Sequence, residues 1–396
     1  MVFSPKKRYD LLDGLRGVAA LMVIVYHCFE CFPADTWIIG HGYLAVDFFF
    51  ILSGFVIGYA YDDRWRRKPS EEGLSAGGFF KRRLIRLHPM VVFGVVLGLV
   101  TFLIGGGTSW SGGKAALSAV MIAVLLHLFM IPELPGAASE VRGNAEMFPL
   151  NGPHWSLFFE YIGNILYALI LRKLPTRILA VVTSVLAAGF AAFALCDVVG
   201  YGNIGVGWTL EGWNFWGGLL RMLVPFSMGL LLCRLMHGDA EQRQDPGYKP
   251  VLKPARLRGS FWISTLLIVI FLAMPALGGE NTRINILYEV ACVLLVFPVV
   301  VWIGASGETT DRTSTGICKF LGEISYPLYA VHYPTMYLFY AYIGFPQTWR
   351  TPGECWPWMV ALVIGNVALA FAALKLYDEP VRRRLSHSPG LARKNG

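Results

Sequence analysis

Two side chains able to carry acid–base chemistry lie where lipid would be expected. The run RYDLLDGLRGVAALMVIVYHCFE holds Arg16 and, after ten intervening residues, His27. On a helix eleven residues advance about three turns, so the two share one face and lie about 16 Å apart along the axis. An imidazole titrates near neutral pH, and a neighbouring carboxylate orients it as a general base. Asp47 in VDFFFILSGFVIGYAY and Glu160 in WSLFFEY are the carboxylates that reach a similar depth on their own helices. A second group is basic: Arg83 and Arg86 in FFKRRLIRLHP stand i, i+3 on one helix face. Guanidinium groups grip phosphate in bidentate fashion, so these arginines suit a polyanionic ligand. Ser325 and Tyr326 in ISYPLYAVHYP fall at the level of the arginines, with His332 about two turns deeper.

The elements that must position these residues are membrane helices. Hydrophobic residues make up 55% of the 396 and charged residues 15%, and apolar runs long enough to cross a bilayer recur along the chain. Eleven such segments are read at 15–33, 42–61, 84–104, 115–131, 155–171, 178–199, 215–236, 260–278, 284–303, 324–344 and 356–377. The first begins after Lys6, Lys7 and Arg8, carries Asp13, Arg16 and His27, and lacks a small-residue cleavage site, so it reads as a spanning helix and not as a signal peptide. The net charge of +8 is concentrated between apolar runs, as in loops facing anionic headgroups, and is not a nucleic-acid signal.

Orientation follows from where the basic residues fall. If all eleven segments cross, RKLPTR at 172–177 and every later basic loop fall outside. If 115–131 is instead re-entrant or interfacial, that loop falls inside. So do the 62–83 loop with Arg64, Arg66, Arg67, Lys68, Lys81, Arg82 and Arg83, the 237–259 loop with Lys249, Lys253, Arg256 and Arg258, and the tail VRRRL. The expectation is an all-α integral membrane protein of about ten transmembrane helices, with 115–131 not crossing and both termini cytoplasmic. A single transmembrane domain would run over 1–384, followed by a short cytoplasmic tail at 385–396, and DPGYKPVLKP would be an extended linker.

In that frame Arg16, Arg83 and Arg86 mark the cytoplasmic level, while His27, Asp47 and Glu160 converge in the outer part of the membrane. Plainer readings stand beside this. Arg83 and Arg86 serve equally as cytoplasmic anchors, His332 as a satisfied core histidine, and Asp47 and Glu160 as structural ion-pair partners. His41, His88, His127 and His154, at or near segment ends, read as solvated. Seven cysteines imply no disulfide framework, and Cys28 and Cys31 read as small apolar helix residues despite their CxxC spacing. Arg16 with His27 is the pair a purely structural reading explains least, because burying either without a partner costs several kcal/mol.

The stretches LDGLRGVAALMVIVYH, VDFFFILSGFVI, RRLIRLHP, WSLFFEY, ISYPLYAVHYP and YDEPVRRR occur in the order found in membrane-bound acyltransferase family 3, and the chain resembles that family from about residue 9 to 384. The resemblance implies transfer of an acyl group from acyl-CoA, acetyl-CoA above all, to a hydroxyl of an extracytoplasmic glycan or small molecule. It implies His27 as the catalytic residue with Arg16 essential beside it; on the reading from depth, Asp47 or Glu160 would orient and charge-stabilise the imidazole. Arg83 and Arg86 match the basic motif, Trp155, Ser156 and Glu160 the tryptophan–serine–glutamate motif, and Ser53 lies in the second stretch. Together with Ser325, Tyr326 and His332 these are the expected substrate-binding residues. His88 before Pro89 departs from the aromatic residue usual there. No metal and no nucleic acid are expected as ligands; membrane lipid is the surroundings, in a bacterial inner or plasma membrane. Direct transfer and a covalent acyl-histidine both fit these residues. A transporter binding a solute at the same Arg/His/carboxylate cluster is the alternative, and it predicts inverted repeats or broken helices that the sequence does not display.

Overall fold

The computed structural model describes residues 9–33, 36–66, 73–239, 241–242, 249–254, 259–278, 282–309 and 311–387. Lys6, Lys7, Arg8, Arg67, Lys68, Arg256, Arg258, the first four residues of the expected linker (245–248) and most of the tail lie outside them. Among the described residues the chain is helical and forms no strand beyond an isolated bridge between Thr108 and Lys114. The first helices are α1 (Asp10–Phe29), α2 (Ala45–Tyr61), α3 (Ala76–Ile104), α4 (Leu117–Leu128), α5 (Pro135–Arg142), α6 (His154–Leu169) and α7 (Thr176–Leu195). There follow α8 (Asn214–His237), α9 (Ser260–Ala273), α10 (Thr282–Ala291), α11 (Phe297–Ser306), α12 (Arg312–Ile343), α13 (Pro352–Ala373) and α14 (Glu379–His387).

Among the described residues seven helical stretches are long and apolar enough to cross a membrane: Asp10–Phe29, Gly42–Tyr61, Ala76–Ile104, Thr176–Leu195, Asn214–His237, Thr282–Ser306 and Pro352–Ser386. The protein is thus an all-helical, multi-pass membrane protein. Each of the eleven expected segments finds a helix. What the apolar pattern leaves out is polar or interrupted: α5, the first half of α12, the first turns of α3 and α14. Two stretches wind as π-helix, Cys292–Val296 and Leu374–Asp378, and each ends two residues before a proline, Pro298 and Pro380. A proline has no N–H to close the usual i→i−4 bond, and a wider turn absorbs the mismatch.

The chain sorts into two compact units, residues 1–75 with 155–325 and residues 76–154 with 326–396. In the first, α2 and α8 form the interior: 67% of each apolar window is buried, against 22% for α7, whose Val181 and Val185 face outward as lipid-facing residues should. No polar stripe marks α2, as befits a helix enclosed on all sides. Its sequence Gly54-Phe-Val-Ile-Gly58 brings it against α8 at backbone distance. A Cβ at Gly54 would strike the carbonyl oxygen of Phe226, and one at Gly229 that of Ile51. Buried ion pairs close both ends of this contact. Arg221 donates to Asp47 through Nε at 3.1 Å and Nη2 at 2.6 Å, and Arg234 donates to Asp62 through Nε at 2.8 Å. The earlier acid takes the earlier arginine and the later acid the later one, so α2 and α8 run parallel. A similar glycine-lined approach joins α1 to α12, where a Cβ on Gly14 would meet Cys318 and one on Gly322 would meet Asp13.

In the second unit α3 packs against the chain that leads into α6. A Cβ on Gly98 would meet Leu150, and one on Gly94 would meet His154, Asn151 and the Ala330 carbonyl. Between α4 and α6 the chain buries Ala138, Val141, Met147, Phe148 and Leu150 and is also tied by polar side chains. Arg142 lies 3.8 Å from the centre of the Tyr337 ring and 4.6 Å from that of Phe102, and donates through Nε to Pro149 O at 3.1 Å. Tyr337 in turn donates to Glu146 at 2.8 Å.

Candidate active site

His27 lies in the last turn of α1. Its Nδ1 lies 2.8 Å from Oε2 of Glu30, and the two side chains are 13% and 20% exposed. Beside them stands an aromatic group. The Tyr26 ring is centred 5.1 Å from the His27 ring, 5.6 Å from Trp37 and 5.6 Å from Tyr43. Three turns back along the same helix, Arg16 donates through Nε to Ser325 Oγ at 2.9 Å and through Nη2 to Gly322 O at 3.3 Å, and Nη2 also pairs with Asp13 at 3.0 Å. The close α1–α12 approach at Gly14 and Gly322 is what lets this guanidinium reach α12. Two residues nominated from sequence, Arg16 and Ser325, therefore meet.

Ser53 and Glu160 also meet: Ser53 donates to Glu160 Oε1 at 2.6 Å, and Asn164 donates to the same oxygen at 3.3 Å. Asp47 is committed to Arg221. That arginine donates as well to Val206 O at 2.8 Å and Tyr43 O at 3.2 Å, and its guanidinium lies 5.1 Å from the centre of the Trp155 ring. Trp155 and Asp47 are thereby linked through a residue the sequence reading passed over. Ser156 is buried in the following position. A further network extends from Tyr43, whose hydroxyl donates to Glu289. Glu289 also accepts from Asn285 Nδ2 at 2.6 Å and from the Ile204 backbone at 2.7 Å. His41 completes it, with Nε2 2.9 Å from Asn285 Oδ1 and Nδ1 2.7 Å from Met274 O.

The remaining nominated residues belong to the second unit. Tyr326 donates to Leu87 O at 2.5 Å, tying the ISYPLY stretch to the helix that carries Arg83 and Arg86. Arg86 lies within electrostatic reach of Asp378, which pairs with Arg382 at 2.6 Å. His332 is buried, with Nδ1 2.8 Å from Tyr329 O. Histidines expected to be solvated are not: His41, His127 and His154 are buried, and His127 Nε2 lies 2.8 Å from His154 Nδ1. The chain between apolar segments folds back over helix ends, so nearness to a segment end does not imply contact with water.

Glu133, in the α4–α5 connection, is 2% exposed, and neither carboxylate oxygen has a hydrogen-bond partner. Burial first, and the charge of Glu140 second, push its pKa from 4.5 up to about 7. A carboxyl whose pKa is higher folded than unfolded contributes stability that is complete below 4.5, is lost as pH rises from 4.5 to about 7, and changes no further above that. Hydrogen exchange of residues 130–148, corrected for intrinsic rates, should therefore be slower at pH 5 than at pH 8. Glu133→Gln should abolish the difference; if it persists in that variant, the assignment is wrong.

The residues missed from sequence share one trait. Glu30, Arg221, Arg234 and Glu289 each make sense only with a partner in view. Glu30 stands i+3 from His27, and that spacing alone was a usable signal. Arg221 and Arg234 were the visible anomaly of an otherwise apolar 24-residue helix.

The geometry can be set beside known proteins. The sequence model of the family described as "Acyltransferase domain" matches residues 9–375. "Protein 2 in picA locus" of Rhizobium radiobacter is 36% identical over 176 residues, 42% of this chain and 83% of that protein. "Acyltransferase MdmB" of Streptomyces mycarofaciens is 23% identical over 401 residues, covering 92% of this chain and 88% of the relative. "O-acetyltransferase OatA" of Staphylococcus aureus is 39% identical over 82 residues, 21% of this chain and only 12% of that longer protein. No solved structure matches. A family match that begins at the first turn of α1, takes in Arg16 and His27 and runs through both compact units leaves one conclusion: the chain belongs to the acyltransferase domain family.

Proposed function

We propose that this acyltransferase carries an acyl group, acetyl in the first instance, from cytoplasmic acyl-CoA to a hydroxyl of an extracytoplasmic glycan or small molecule, with His27 as the general base. The observation that carries the reading is the single face of α1. It holds an imidazole beside a carboxylate at one end and, about 16 Å away, an arginine fixed to a second helix. His27 takes the proton of the acceptor hydroxyl, and the oxygen attacks the thioester carbonyl. The C–S bond breaks, and the thiolate leaves with the proton returned by the imidazolium. Asp47, through Arg221, holds α2 to α8, and Glu160, through Ser53, holds α6 to α2. Ser325 fixes Arg16, while Trp155 and Ser156 keep the start of α6 against Arg221.

Ten crossings with both termini cytoplasmic is the topology we infer. The parallel run of α2 and α8 supports it: an odd number of crossings must then separate them, which α3, α6 and α7 supply if α4 does not cross. The twelve residues of α4 span about 18 Å, well short of a hydrocarbon core of about 30 Å. Arg83 and Arg86, on the basic motif, are assigned to the donor's phosphates, with Tyr326 and His332 shaping that end.

Purified protein in nanodiscs should release CoA from acetyl-CoA in the presence of an envelope glycan fraction. Arg83→Ala and Arg86→Ala should each raise the donor KM about tenfold with little change in kcat, the signature of lost charge-assisted phosphate contacts. Absence of thiol release from every short-chain acyl-CoA would refute the reading.

A further inference from the structure

We infer that Glu30 is the positioning residue for His27, a carboxylate supplied by the same helix end and not by a neighbouring helix. The inference rests on the acyl-transfer reading above and assigns a residue to that site.

Glu30 follows the last helical turn of α1 with right-handed helical angles, φ −59° and ψ −20°, and its backbone N–H bonds Tyr26 O. The helix is thus prolonged by one residue, and i, i+3 geometry sets the Glu30 side chain over that of His27. The outcome is the 2.8 Å approach of Oε2 to Nδ1. Three other acids of the same unit were the natural candidates, and each is engaged elsewhere. Asp47 takes two donors from Arg221, Glu160 takes Ser53 and Asn164, and Glu289 takes Tyr43, Asn285 and the Ile204 amide.

A carboxylate at Nδ1 has two chemical consequences. The contact is an ion-pair distance without hydrogen-bond alignment, so the carboxylate acts through its charge: it favours the proton on the nearer nitrogen, Nδ1, which leaves Nε2 to accept the hydroxyl proton, and it stabilises the imidazolium while that proton is held. Glu30 remains ionised throughout, so no bond is made or broken at it. Its side chain is 20% exposed, which lets water take over part of the task. The expected loss is therefore about tenfold, far below the loss seen where such a carboxylate is sealed from solvent.

The test compares Glu30→Gln, Glu30→Asp and Glu30→Ala with His27→Ala in nanodiscs, reading kcat and donor KM separately alongside thermal stability. Glu30→Gln should lower kcat about tenfold with KM unchanged, Glu30→Asp should recover most of the rate, and formate should raise the rate of Glu30→Ala. A merely structural glutamate would not respond to formate. Wild-type kcat in Glu30→Gln, or a folded Glu30→Ala that formate leaves unchanged, overturns the inference while an inactive His27→Ala preserves the acyl-transfer reading. If Glu30→Gln does not fold, the Glu30→Asp rate and formate rescue of Glu30→Ala decide the matter. An active His27→Ala removes both readings together.

Discussion

His27→Ala should lower acetyl transfer by about 10²- to 10⁴-fold, the usual contribution of a positioned general base. The size follows from what the imidazole is asked to do. A sugar or alcohol hydroxyl is a poor nucleophile at neutral pH until a base takes its proton, and that is the task given to the imidazole. Both kcat and kcat/KM should fall together, because the proton is transferred only in the transition state, while donor affinity, set elsewhere, should hold. His27→Gln keeps the volume and a hydrogen-bonding end but has no basic nitrogen, and should be as inactive as the alanine variant. CoA release by purified protein, and the acyl mass carried by envelope glycans of cells expressing each variant, measure the effect at two levels. Wild-type release from His27→Ala would end the assignment.

The second large effect concerns stability. Asp47→Ala should cost about 3–5 kcal/mol, because it strands the Arg221 guanidinium in the interior without a counter-charge. Replacing both partners, Asp47→Leu with Arg221→Met, should recover much of this, since apolar side chains of similar volume replace buried ion pairs at little cost. Recovery will be partial: the Val206 and Tyr43 carbonyls lose the donor that Arg221 gives them, and an orphaned buried acceptor costs about 1–3 kcal/mol. Thermal unfolding in detergent, followed by loss of the monodisperse peak, reads the order of the three proteins. If Asp47→Ala is as stable as the wild type, the pair is not structural. If the double variant folds and still turns over within about tenfold of wild type, Asp47 acts through position and not by contact with the reacting atoms.

The apolar runs made the helices legible because a bilayer demands one continuous segment per crossing; 115–131 imitates that signal, and only the placement of the basic loops sets it apart. Arg16 and His27 were legible for a related reason: spacing on one helix is fixed by geometry alone, without knowledge of neighbours. Partners were harder. Asp47 and Glu160 were legible as acids at matching depth on other helices, whereas Glu30, the carboxylate 2.8 Å from the His27 ring, lies one turn on along the same helix. Asp47 gave no hint of Arg221, since the pairing depends on two helices far apart in the chain lying parallel at glycine contact. The buried histidines were misread because loops were imagined in water. Seen from sequence, a residue beside an apolar run is at the surface; in the fold, the connection between α4 and α6 is itself packed.

The parallel pair of α2 and α8 also has a meaning for how the protein is made. Asp47 and Arg221 are separated by 174 residues. A ribosome adding about 5–20 residues per second leaves Asp47 without its partner for roughly 10–35 s of synthesis. During that interval the α2 segment carries an uncompensated carboxylate, and its glycine face has no helix to lie against. Insertion machinery must shelter it, or water must reach it through a thinned bilayer. Completion of α8 is therefore the event that gives Asp47 its counter-charge and α2 its glycine contact, and until then the nascent chain is open to quality control.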